Sequence, residues 1–338
     1  MENYDSLPGR KKWSKAVRYA CAMALIGCMV GAADFLGEKE VIFPEAVALT
    51  VGLWIIDKRV WKAGRMQVIA LMTAGALAGI SIVRYSPLPL ILDLFLAFAF
   101  AAVCLTITRT TLVPLISACM LPVLLGTESL VYPATVFCLI LILAGGQWLM
   151  EKAGLRKPIP FRRAEKPFKQ RIRRWGLLAG LLLAVSFLPI HLNKIYCIVP
   201  PLIVTLVEFA NPEAGFRKTP GRVLFQLAAA AVLGTGSRLL LQEGFGFPTV
   251  IAVWVVCGLL FFLFERMERS FAPAGALALV PFILPNEGLI WFPVQAVVGA
   301  VILIFLPLNV FRSEAEKTAT AETKIPGRKT VFRRPETL

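Results

Sequence analysis

The amino-acid sequence predicts an all-α polytopic membrane protein of about twelve apolar segments, arranged as two parallel six-segment repeats with short proline-interrupted helices in each half. Three observations lead there: an excess of apolar residues, a one-sided distribution of Lys and Arg, and an internal repeat of prolines and charges. Apolar residues make up 57% of the 338 and charged residues only 17%. A soluble domain carries about 45 to 50% and about 25%. Soluble enzymes, disulfide scaffolds and disordered chains are excluded on that ground.

The apolar segments fall at about 16–36, 41–56, 66–83, 88–107, 112–125, 130–150, 175–192, 196–210, 223–241, 247–264, 271–285 and 288–311. Several approach the roughly 20 residues that a bilayer crossing needs. The sequence therefore divides into an N-terminus (1–15), a first membrane repeat (16–150), a basic linker (151–174), a second membrane repeat (175–311) and a polar, basic tail (312–338) expected to be disordered. The first apolar run ends in AADFLGEKE without a persuasive cleavage site, so it reads as an uncleaved first span.

If all twelve segments cross and the N-terminus is cytoplasmic, 32 of the 36 Lys and Arg fall inside, and only Lys39, Arg84, Lys194 and Arg238 fall outside. Cytoplasmic loops carry such an excess. The expectation is a plasma or bacterial inner membrane protein with both termini cytoplasmic. The net charge of +15 then implies anionic lipid at the cytoplasmic face, with no nucleic acid.

The repeat supports two halves. Pro114, Pro122 and Glu128 match Pro273, Pro281 and Glu287 at a constant offset of 159, while Pro44, Gly64, Arg65 and Gly79 match Pro201, Gly221, Arg222 and Gly236 at 157. Six crossings per half make the repeats parallel, a plan that places sites between the halves near mid-membrane.

Segments 112–125 and 271–285 are too short to be plain spans, and each carries a proline eight residues after its first. They read either as broken helices lining a path framed by Pro114, Pro122, Pro273 and Pro281, or as short kinked helices in a thick bundle. Glu128 and Glu287 follow them, as gating or proton-linked carboxylates or as solvated loop residues. Arg65 and Arg222 open the third segment of each half, where they would attract an anion at the cytoplasmic mouth or anchor the helix to phospholipid. Asp34, Glu45, Asp93 and Glu208 lie near segment ends, Glu45 at a helix start where the dipole favours a carboxylate. TAGALAGIS (73–81) contains a GxxxG for close packing.

The seven cysteines show no CxxC and read as buried thiols. One histidine, His191, cannot build a metal site, and no catalytic motif is present, so neither a cofactor, a metal nor enzymatic activity is expected.

FAPAGALALVPFILPNEGLIWFPV (271–294), and more weakly TRTTLVPLISACMLPVLL (108–125), resemble the core of the HPP family of integral membrane proteins. The naming His-Pro-Pro is absent: Leu112-Val113-Pro114 and Phe271-Ala272-Pro273 stand in its place. The resemblance implies a transporter or channel for a small anion, since plastid relatives are associated with nitrite movement. The arrangement of two sets of six segments around a cytoplasmic linker is also similar to the aromatic-acid exporter and fusaric-acid-resistance group, which implies larger organic anions. A membrane scaffold using its basic segments and a membrane-embedded enzyme are the other readings, and a homo-oligomer is compatible with each.

Overall fold

A computed structural model describes residues 8–58, 60–158 and 168–312. The described residues form twelve α-helices and no strand. Eight helices are long and apolar enough to cross a membrane: α1 (Pro8–Leu36), α3 (Arg65–Tyr85), α4 (Leu90–Ile107), α6 (Val131–Lys152), α7 (Phe168–His191), α9 (Pro220–Ser237, with a π-helical continuation Arg238–Gly244), α10 (Thr249–Arg266) and α12 (Phe292–Val310). The chain is a multi-pass membrane protein. Four helices are short: α2 (Glu45–Thr50, continued by a π-helical turn Val51–Ile55), α5 (Pro114–Leu125), α8 (Pro200–Ala210) and α11 (Ala272–Leu279, continued by a 3-10 turn Val280–Phe282).

The order long, short, long, long, short, long thus occurs twice. The sequence identifies α5 and α11 as unusual, but α2 and α8 are equally short. Apolar content hides this, because segment 41–56 begins with irregular chain and 196–210 with a 3-10 turn (Ile195–Ile198), each as apolar as the α-helix after it. Boundaries also differ from expectation at the charged ends: α1 begins by Pro8 and α7 by Phe168, because a helix continues beyond its apolar stretch wherever solvated Lys and Arg still suit it. The expected disorder of the tail falls on 313–338, and part of the expected linker on 159–167, which lie outside the described residues.

Side-chain contacts define two faces. On the near face Arg65 pairs with Glu151, Lys15 with Glu265, and the Lys62 N–H donates to the Thr111 hydroxyl. On the far face Arg84 meets the loop after α5, and Arg238 the loop after α11. An α-helix of 12 residues is about 18 Å long, against about 30 Å of hydrocarbon. Irregular or 3-10 chain covers the remainder, and it is enclosed by protein as backbone at that depth must be: Phe43, Leu112 and Val199 are all fully buried.

All four short helices start near mid-bundle. A Cβ on Gly75, the middle residue of α3, would collide with Leu115 at the start of α5, and one on Gly299 of α12 with the backbone of Cys197 just before α8. The Phe43 N–H, just before α2, points at the Met29 sulfur of α1 at 3.4 Å. From the middle, α2 and α8 run to the near face and α5 and α11 to the far face. The halves interlock, since α2 packs on α11, α8 on α5, α1 on α10 and α7 on α4.

The close approach of α3 to α5 recurs between α9 and α11. Gly79 lies against the Cys119 carbonyl and Pro122; Gly234 lies against the Ala278 carbonyl and Pro281. Gly234, and not Gly236, is therefore the packing counterpart of Gly79. The offset here is 155, so the Gly-Arg pairs do not coincide: Gly64 caps α3, whereas Gly221 lies inside the first turn of α9 after Pro220.

Candidate functional site: a carboxyl where four short helices meet

Each short helix has proline at its inner end: Pro44 before α2, Pro114 opening α5, Pro200 and Pro201 opening α8, and Pro273 in α11. Proline suits a helix start because its missing N–H is one that the first turn cannot satisfy. An unpaired N–H buried in the bundle would carry a desolvation cost, which the residue type removes.

An arginine meets the outer end of each. Arg18 donates to the Trp54 and Ile55 carbonyls after α2 at 3.0 and 3.2 Å, and pairs with Asp57 at 2.6 Å. Arg217 donates to the Phe209 carbonyl of α8. Arg84 reaches the Glu128 carbonyl beyond α5 at 2.7 Å, and Arg238 the Pro281 and Leu284 carbonyls at the end of α11, the latter at 2.7 Å. Guanidinium groups at carbonyl ends complement the helix dipoles. The positive ends consequently all point inward, to one place.

Glu45 occupies that place. Its side chain lines a small cavity of about 10 Å³ together with Pro114, Ser117, Pro201, Ala272 and Pro273, a volume on the scale of one water molecule. Glu45 is 1% exposed. The Ser117 hydroxyl donates to Glu45 Oε1, while Oε2 is buried without a hydrogen-bond partner among the described residues. A carboxyl so enclosed requires one more partner: a proton, a water molecule or a donor carried by a solute.

Larger spaces lie beyond it on both sides. Toward the far face a cavity of about 410 Å³ is lined by Lys39, Glu40, Ile42, Pro122, Thr127 and Pro285, among others. Tyr132 is part of its wall, and the Tyr132 ring meets that of Phe43, two residues before Glu45, with centroids 6.0 Å apart. Toward the near face Trp61 contributes to the wall of the central cavity and also of a smaller space of about 30 Å³ with Arg65, Gln147 and Arg156. The Trp61 ring lies on Gly52, where any Cβ would be only 2.4 Å away, and its Nε1–H donates to Glu208 at 3.3 Å. It bridges α2 of one half and α8 of the other.

The residues singled out by sequence take several positions. Pro114 and Pro273 border the central cavity, and Pro122 the far one. Pro281 gives its carbonyl to Arg238. Arg65 borders the near space but is paired with Glu151; Arg222 is exposed and has no ion pair with a described residue. Glu128 and Glu287 are exposed in far-face loops. Glu45 is at mid-depth and not near a membrane end, since the apolar run enters the bundle as irregular chain before α2 starts. Ser117, Trp61 and Tyr132 carried no signal that distinguishes them from other residues of their segments.

All seven cysteines are free, but only Cys119, Cys197 and Cys257 are buried, while Cys28 and Cys138 are exposed. A membrane-facing helix side accepts a thiol as readily as a core does, which is why the expectation of burial fails there. No group of three His, Cys, Asp or Glu that could hold a metal occurs among the described residues. No family model, curated protein or solved structure matches this chain. The fold and hydropathy define a polytopic α-helical membrane protein with an enclosed carboxyl at its centre.

Proposed function

We propose that the protein carries a small monovalent anion across a plasma or bacterial inner membrane, along a path from the far cavity past Glu45 to the near-face space. The near face is the cytoplasmic side in this reading, because the positive-inside pattern assigns it 32 of 36 Lys and Arg. The halves are then parallel repeats, each crossing six times with two of its crossings only part helical.

The observation that carries the proposal is the junction of inward-pointing half-helices with cavities on both sides. Discontinuous helices whose N-termini meet at mid-depth are a device for holding anionic groups. A scaffold has no use for an enclosed, partly unsatisfied carboxyl on that axis. Closed by Phe43 and Tyr132 above and Trp61 below, the arrangement is an occluded state. The central volume favours small anions over aromatic acids, in line with what the HPP resemblance implies. Flux of nitrate and chloride into proteoliposomes tests it: uptake by folded protein above that of protein-free vesicles is expected. Its absence under every ion and voltage gradient would leave the scaffold reading.

A further inference from the structure

Glu45 raises a question that an anion path alone does not answer, namely why a carboxyl occupies the place best suited to an anion. The inner ends of α5, α8 and α11, each directed at the central cavity, favour one negative charge there. In the occluded structure the Glu45 side chain takes that position. Its Oε1 has the Ser117 hydroxyl, and its Oε2 has no hydrogen-bond partner among the described residues, although Glu45 is 1% exposed. A cation is a poor candidate for the missing partner, since the dipole ends repel it and Ser117 Oγ is the only side-chain oxygen beside the carboxyl in the cavity wall. A proton needs nothing more than what is present.

Resting on the anion-path reading, we infer that Glu45 is the proton-coupling group, and that its carboxylate and the transported anion compete for the same central position. The site then holds one negative charge in either state: the Glu45 carboxylate alone, or an anion beside a protonated Glu45. Loading an anion adds one proton to Glu45 Oε2, and the proton leaves to water on the side where the anion leaves. Each cycle moves one anion and one proton in the same direction, with no net charge.

The groups around Glu45 leave it this role. Tyr132 of α6 commits its hydroxyl to the Ala118 carbonyl at 2.9 Å. Cys119 on α5 is buried, with its backbone against α3. Arg18 on α1 is held at the near end by Asp57, Glu208 on α8 by Trp61, and Lys39 and Glu40 border the far cavity. α11 contributes no titratable side chain.

The test uses the full-length protein in phosphatidylcholine–phosphatidylglycerol vesicles, with labelled nitrate as the probe, under two separate drives: an inward proton gradient with the voltage clamped to zero, and a voltage with no pH difference. Wild type should take up nitrate faster under the first than with no drive, and no faster under the second. Glu45→Gln should reverse this, becoming blind to pH and driven by voltage, because a neutral amide leaves the position open to an unaccompanied anion. Wild-type nitrate flux that follows voltage and ignores pH overturns the coupling while leaving the anion path standing; no flux of nitrate under either drive removes both. Should Glu45→Gln fail to fold, Ser117→Ala keeps the carboxyl but deletes its hydrogen bond from the hydroxyl. The pH midpoint of uptake should then move by about half a unit or more, from the worth of one such bond, and an unmoved midpoint overturns the proposal.

Discussion

The two halves build the same pair of half-helices and finish them differently. In the first half, Pro122 cannot donate to the Ala118 carbonyl, and the Tyr132 hydroxyl of α6 supplies the missing bond at 2.9 Å; α5 stays α-helical through the proline to Leu125. In the second half the residue 159 positions on from Tyr132 is Trp291, which is exposed, and no hydroxyl among the described residues takes its place. There α11 ends at Leu279 and tightens into a 3-10 turn around Pro281. The centre differs in the same sense: Ser117 corresponds to Ala276, and Glu45 at an offset of 157 to Leu202. At the far face the first half leaves a cavity of about 410 Å³, whereas the second is filled by Arg238, 4% exposed, bonded to Pro281, Leu284, Asn286 and Glu243. One copy of the scaffold carries the polar chemistry and the space; the other is sealed.

The sharpest way to break that contrast is at the two far-face arginines. Arg238→Ala should cost about 3 kcal/mol or more, because it orphans several buried acceptors at once. Arg84→Ala removes an exposed contact and should cost less than about 1 kcal/mol. Thermal unfolding of both variants in detergent compares them, and equal losses would show that the second half is not sealed by its arginine.

A second comparison sharpens the repeat itself. Gly79→Ala and Gly234→Ala each place a Cβ 2.3 Å from a carbonyl oxygen on the facing short helix, whereas Gly236→Ala meets nothing within 4 Å. The first two should each destabilise by about 1 to 3 kcal/mol through forced separation of the helices, and the third should be neutral or slightly stabilising. Equal effects at Gly234 and Gly236 would restore the sequence register over the packing register.

That register marks the limit of what the sequence carries. Hydropathy locates all eight long helices, since an apolar run of 18 or more residues has few other uses. Proline spacing singles out α5 and α11. It does not single out α2 and α8, although Pro44, Pro200 and Pro201 stood at their starts, because a run such as 41–56 has the length of a marginal span whether or not its first residues are helical. Glu45 was legible as a carboxylate at a helix start, but its depth depends on where that irregular chain ends. The bond from Ser117, 72 positions away, and the Trp61 bridge to the other half are tertiary facts without periodicity.

A smaller effect is expected at the proline bond. Tyr132→Phe removes the donor to the Ala118 carbonyl and should cost about 1 to 2 kcal/mol, while Trp291→Phe should be close to neutral. A Tyr132→Phe protein as stable as wild type would mean that α5 holds its geometry without the hydroxyl.

The central claim is that the junction of the half-helices is the path. With the seven native cysteines replaced, Ser117→Cys and Ala276→Cys each put one thiol in the central position, and a small water-soluble thiol reagent reports whether it meets solvent during turnover. Modification of both, accompanied by loss of nitrate flux, is the predicted result. Thiols that stay unmodified while flux proceeds undiminished would contradict it.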